Sequence, residues 1–181
     1  MRINLSTCNI EIINSYSRKR LLEIMSGYKH SILLGGNIDS EKEFYALVFN
    51  VDSEQECIRD MCIGICYGSH GITPQIMVQD NPKYAWIGYD SGVDIISIQT
   101  KDVISHIDLD WLFYQFVRVE EAGLILIHHE IGVQVVDTMG NPIWKISKDV
   151  INDLRVHDNH VFIKWMDGDE CKLNLLNGEV L

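Results

Sequence analysis

The run His128-His129-Glu130 sets two imidazoles beside a carboxylate, the side chains of a zinc site or of general acid–base work. His129-Glu130 opens an HExxH pattern, but Val133 stands where the second histidine is needed, so the two-imidazole helix of a zinc protease is excluded. His128 and Glu130 also imitate the HxE of zinc deaminases, and no PCxxC follows them. On a strand, His128 and Glu130 would share one face and His129 the other. The expectation is a hairpin end with a solvated His–Glu pair and one packed histidine. His157-Asp158-Asn159-His160 spans a tight turn whose side chains could hold a metal. His128, Glu130, His157 and His160 together form the ligand set of an alternative reading, a metal-dependent hydrolase or nuclease.

Cys62, Cys66 and His70 lie four apart, with Cys57 as a fourth soft ligand. Gly64 and Gly68 weaken a rigid helical site there, and no third residue marks Cys66–His70 as an activated nucleophile. The simpler reading is buried thiols on an apolar stripe. Gly68-Ser69-His70-Gly71 and Leu34-Gly35-Gly36-Asn37 lack the Lys-Ser/Thr ending of a P-loop, the three-glycine dinucleotide fingerprint and the GxSxG elbow, and read as turns. The primary expectation is no catalytic residue, no metal and no cofactor.

Elements must position whatever these residues do. Up to about Asp80 the chain mixes patterns. Asn9 to Ile13 reads as a strand, and Ser15 as the cap of a helix from Tyr16 to Met25 that Gly27 ends. Ile32 to Leu34 and Glu43 to Val51 read as strands. Ser53-Glu54-Gln55-Glu56 is a capping box, followed by Cys57, Ile58, Met61, Cys62, Ile65 and Cys66 on one helical stripe. That predicts a helix over 54–64, in competition with a strand over Met61 to Tyr67. From Tyr84 onward the texture is β. Runs at Leu124 to His128, Val133 to Asp137, Ile143 to Ile146, His160 to Trp165 and Cys171 to Leu175 are separated by turn residues. Asp167-Gly168 and Asn177-Gly178 are strong hairpin signals, and Gly140-Asn141-Pro142 and Asp158-Asn159 are further turns. The aromatic run Trp111 to Phe116, behind Asp108 and Asp110, reads as a core element burying Trp111, Phe113 and Phe116, against a sticky partner surface.

The second half also repeats itself. IGYDSGVDIISI (87–98) aligns with IHHEIGVQVVDT (127–138) at an offset of forty, matching Gly92 to Gly132 and Asp90 to Glu130, and Ile163 and Gly168 give a looser third copy. This resembles the blade-type repeats of β-propellers in general. The resemblance covers about 95 residues and lacks the Gly-His and Trp-Asp marks of the WD class. It implies two to three stacked hairpin units, an open or partial propeller or a sandwich completed by the N-terminal half. The predicted fold class is α+β: a β-rich antiparallel meander of propeller-blade-like hairpins over 81–181, packed with a mixed α/β part over 1–80, the whole 1–181 forming a single compact unit.

Equivalent hairpin tips in stacked units emerge on one edge. Asp90, Glu130 and Asp167 precede the equivalent glycines, and Asp169 and Glu170 add to them, so these five residues form the expected partner-binding rim. The 181 residues carry 15 Lys and Arg against 26 Asp and Glu, a net charge of −11. Residues 1–80 contribute 7 basic and 10 acidic side chains, and residues 81–181 contribute 8 and 16. The rim would steer a basic protein partner, with attraction that falls as salt rises. No basic run suits nucleic acid, and no unbroken apolar stretch suits a membrane span. The opening MRINLSTCNIEII lacks the pattern of a secretory signal, which predicts a cytoplasmic chain. Abundant isoleucine and scarce alanine hint at a bacterial source. The expectation is a non-catalytic, acidic protein-binding module of the immunity or antitoxin kind, neutralising a basic toxin. The alternatives are the metal enzyme above and a structural or ligand-binding partial propeller.

Overall fold

The computed structural model describes residues 2–4, 9–36, 42–50, 61–68, 70–78 and 83–181. Chain contacts divide it into two units. One comprises residues 1–90 and 94–106, the other residues 91–93 and 107–181.

The first unit opens with β1 (Arg2–Asn4), β2 (Asn9–Ser15), α1 (Arg18–Met25), β3 (His30–Gly35), β4 (Glu43–Asn50) and β5 (Met61–Tyr67). The five strands form one sheet in the order β1-β2-β4-β5-β3, antiparallel except where β3 runs parallel to β5. The cap of α1 is Ser17 rather than Ser15: its Oγ accepts from Arg20 N at 3.2 Å, while Ser15 belongs to β2. Leu21 and Met25 of α1 cover Ala46, Val48, Cys62 and Cys66 on one sheet face. The other face, with Ile10, Leu47, Phe49, Ile63 and Ile65, belongs to a second cluster that includes Ala85, Ile87, Ile96 and Ile98.

Residues 61–64, assigned to a helix from the stripe, are instead the start of β5. All seven β5 residues are buried, so the strand has no polar alternation, and a continuous apolar run carries no period of its own. The capping box and Cys57 lie outside the described residues.

Antiparallel meanders follow, two of four strands and one of three. β6 (Gln75–Val78), β7 (Tyr84–Tyr89), β8 (Gly92–Ser97) and β9 (Asp102–Asp108) form one sheet in chain order. β10 (Phe113–Val119), β11 (Leu124–His129), β12 (Gly132–Asp137) and β13 (Pro142–Ser147) form the next. β14 (Ile151–His157), β15 (His160–Trp165) and β16 (Glu170–Asn174) form the last. The chain then turns at Gly178 (φ 72°) and returns along β16, with Asn174 N donating to Glu179 O at 2.8 Å and Leu181 N to Lys172 O at 2.9 Å. The core of the second unit gathers Leu126, Val133, Val135, Val161, Ile163 and Leu173 from successive meanders.

The described chain is mostly β, with α1 as its one α-helix among the described residues. The forty-residue repeat falls on the central hairpin of each meander, β7–β8 and β11–β12, and its third copy on β15–β16. Gly168, at φ 94°, sits where an L side chain is strained, as the Asp-Gly signal requires. The aromatic run forms β10 and the turn before it. Phe113 is fully buried and Phe116 partly so, but Trp111 is half exposed because it stands in the turn and not on the inward row.

Candidate functional site

Glu130 occupies the two-residue turn between β11 and β12, where His129 pairs with Gly132. Residues 148–151 stitch this turn to the one between β15 and β16. Lys148 N donates to Ile131 O at 2.9 Å and Ile151 N to Glu130 O at 3.3 Å, while Met166 N donates to Val150 O at 2.9 Å. The main chain therefore brings Glu130 and Asp167 to one edge of the second unit. Asp169 follows in the same turn, its N–H donating to Asp167 Oδ1 at 2.9 Å. Glu170 opens β16 in register with Lys164.

Charge at this edge is partly compensated. Lys148 Nζ bonds Asp167 Oδ2 at 2.9 Å and also Asp169 Oδ2, while lying 5.1 Å above the Trp165 ring. Hydrogen bonding from Lys148 holds the Asp167 carboxyl below its ordinary range, and bonding to Asp169 and Asp167 raises Lys148. Lys145 Nζ meets Asp110 Oδ2 at 3.0 Å. Among the described residues, no cation lies within ion-pair distance of Glu130.

Asp90 belongs to the first unit. It adopts φ 47° in the β7–β8 turn, and its Oδ1 meets His70 Nε2 at 3.1 Å.

The proposed metal ligands are not gathered. His128 and His129 are both buried, which corrects the expected solvated His–Glu pair: β11 is an inner strand covered on both faces, and Glu130 has left it for the turn. His128 Nδ1 lies 3.3 Å from Gln115 Nε2, and its ring meets Tyr114 edge-on, while His128 Nε2 and His129 Nδ1 find no hydrogen-bond partner. Burial pushes His128 down to about 4 and lowers His129 as well. His157 and His160 face each other at the far end of the β14–β15 hairpin. Six residue steps along β14 separate His157 from Ile151, which bonds the Glu130 carbonyl, a span of roughly 20 Å at about 3.3 Å per residue. Among the described residues, no three His, Cys, Asp or Glu side chains converge as a metal site. Cys62 and Cys66 point from β5 toward α1, and desolvation raises Cys62 to about 11, the direction opposite to an activated thiolate.

Sequence reasoning missed Lys148, which carries no local motif. It also missed a buried acid in the first unit. Asp94 Oδ2 accepts from the Tyr89 hydroxyl at 2.6 Å, and Asp94 Oδ1 lies 2.8 Å from His106 Nδ1. The available signal was an aspartate inside the apolar run Gly92 to Ile98.

No protein-family model matches the chain, and no curated protein matches it in sequence. Solved structures do match. Hydrazine synthase from Kuenenia stuttgartiensis aligns over 83% of this chain and 47% of its own, at TM-score 0.52 and 10% identity. The dihydro-heme d1 dehydrogenase NirN aligns over 76% of this chain and 32% of its own, at TM-score 0.51 and 6% identity. BamB from Moraxella catarrhalis aligns over 82% and 45%, at TM-score 0.48 and 13% identity. The chain spans less than half the length of each. At these identities the likeness concerns the fold alone: a propeller-like assembly of antiparallel meanders, in agreement with the blade-type repeats and with no particular family.

Proposed function

We propose that the chain is a non-catalytic protein-binding module that offers the acidic edge of its second unit to a basic protein. In its specific form it is an immunity- or antitoxin-like protein of the bacterial cytosol that occludes the working surface of a cationic toxin. The observation that carries this reading is the stitching of the Glu130 turn to the Asp167–Glu170 turn through residues 148–151. Four carboxylates share one edge, and the lysine beside them engages two. Rigid strands hold these turns, so the charge pattern is preorganised, and such a pattern raises encounter rate and rejects like-charged partners. Asp90, on the first unit, is proposed separately as a partner contact of that unit.

The test is a pull-down from the source organism at about 50 mM salt, a concentration at which surface charges are weakly screened. The expected catch is a protein of high pI, released by salt and lost with the triple variant Glu130→Gln, Asp169→Asn, Glu170→Gln. Retention of the same catch by that variant overturns the reading.

A further inference from the structure

A second surface of the same unit has the opposite charge. Residues 107–181 contain 13 acidic and 6 basic side chains, and three of those six, Arg155, Lys164 and Lys172, lie on the outer face of the β14–β16 sheet. Register explains the grouping. Arg155 pairs with Phe162 and Phe162 with Lys172, so one row crosses all three strands as cation, aromatic ring, cation. The next row toward the hairpin turn holds His157 opposite His160. Val161, Ile163 and Leu173, from the alternate positions, fill the core beneath.

Arg155, His157, His160, Phe162 and Lys172, with Asp158, line an open groove of about 420 Å³. Asp153 holds Arg155 in place, with Nη2–Oδ2 at 2.6 Å and Nε–Oδ1 at 3.3 Å, and its guanidinium carbon sits 5.9 Å from the centre of the Phe162 ring. Asp158 is engaged by His157 Nδ1 at 2.8 Å. Among the described residues, no carboxylate lies within ion-pair distance of Lys172. The floor is a half-buried phenyl ring, the walls are cationic, and the volume falls within the range of small-molecule sites.

We propose that this groove binds a nucleoside monophosphate, its planar base against Phe162 beside the Arg155 guanidinium and its phosphate on Lys172 at the end of the row. Arginine and lysine side chains bind phosphate oxygens by charge-assisted hydrogen bonds, and an aromatic ring accepts any base by its face. The turn that carries Asp167 and Asp169 lies at the opposite end of the same strands, where a longer polyanion would be repelled.

The whole chain is titrated with AMP, adenosine, inorganic phosphate and a ten-nucleotide oligoadenylate, with backbone amide shifts of β14–β16 as readout. AMP is expected to bind at least about tenfold more tightly than adenosine or phosphate, the gain expected when stacking and a charged contact act together. Lys172→Gln is expected to weaken AMP about fivefold and leave adenosine unchanged, and Phe162→Ala to erase the advantage of AMP over phosphate. Phe162→Leu, which keeps an apolar side chain and removes the ring, serves if the alanine variant does not fold. Phosphate binding as well as AMP, tighter binding of the oligonucleotide, absence of saturable shifts, or an equal loss in the distant variant Lys145→Gln would each overturn the proposal.

Discussion

At the scale of single residues, His128 and Gly132 carry the sharpest consequences. His128 is buried beside Tyr114 with Nε2 unpartnered, and its folded-state value is about 4 against about 6.5 for a free histidine. The unfolded chain therefore takes up the proton first. Stability is unaffected above about pH 6.5, falls as pH drops from there toward 4, and levels off below that. The loss attributable to His128 approaches about 3 kcal/mol, since each pH unit between the two values is worth about 1.4 kcal/mol. Denaturant melts at pH 7 and pH 4.5 should differ by an amount that shrinks in His128→Gln; an equal difference in both proteins would assign the acid sensitivity elsewhere. Gly132 opens β12, where an added Cβ would run into the Ile146 carbonyl oxygen and stand 2.8 Å from Ser147 Cα. Backbone atoms of β13 cannot move aside, so Gly132→Ala should cost about 2 kcal/mol or more in thermal or denaturant unfolding. Lys148 acts differently. Its partners are exposed, so Lys148→Gln should barely change stability, yet it uncovers Asp167 and Asp169 and should tighten capture of a basic partner at low salt.

At the scale of elements, the central hairpins explain what the sequence made legible. The Asp-Gly turn, together with the matched Gly92 and Gly132, places the corners of β7–β8, β11–β12 and β15–β16 with their order intact, and Asn177-Gly178 places the return after β16, because turn chemistry is local. Non-local burial is what the sequence concealed. β5 is apolar on both faces and imitates a helix stripe, and β11 hides both histidines because both of its faces are covered. Strands β9, β10 and β14 lack clean alternation, since β9 is mostly exposed and β10 and β14 carry bulges at Tyr114 and Asn152. Of the candidate rim, the Glu130 and Asp167 turns were readable from the repeat, but the lysine between them was not. A side-chain bond adds to the main-chain stitching between successive meanders: Trp144 on β13 donates from Nε1 to Leu175 O at 2.7 Å, and its ring lies against Gly178. Trp144→Phe keeps most of the apolar contact and removes that bond, so a loss of about 1 kcal/mol is expected from urea melts. No change in midpoint would mean that the turn after β16 is held by its own hydrogen bonds.

At the scale of the molecule, the net of −11 conceals a local cationic patch. In the second unit, Glu130, Asp167, Asp169 and Glu170 gather at one end of the strands and Glu120, Glu121, Asp137 and Asp158 stand at the other, while three of its six Lys and Arg side chains occupy the outer face of β14–β16. The propeller-like fold separates these surfaces by construction, since turns emerge at strand ends and alternate side chains leave the sheet face. The acidic edge is the central claim, and ionic strength tests it most directly. Affinity for the captured basic partner should be measured from about 50 to 500 mM salt, across which the screening length shortens to a few ångströms. The account predicts a fall of at least about tenfold for the native chain and a much shallower slope for the Glu130, Asp169 and Glu170 triple variant. Affinity independent of salt, or identical slopes for the two proteins, would contradict it.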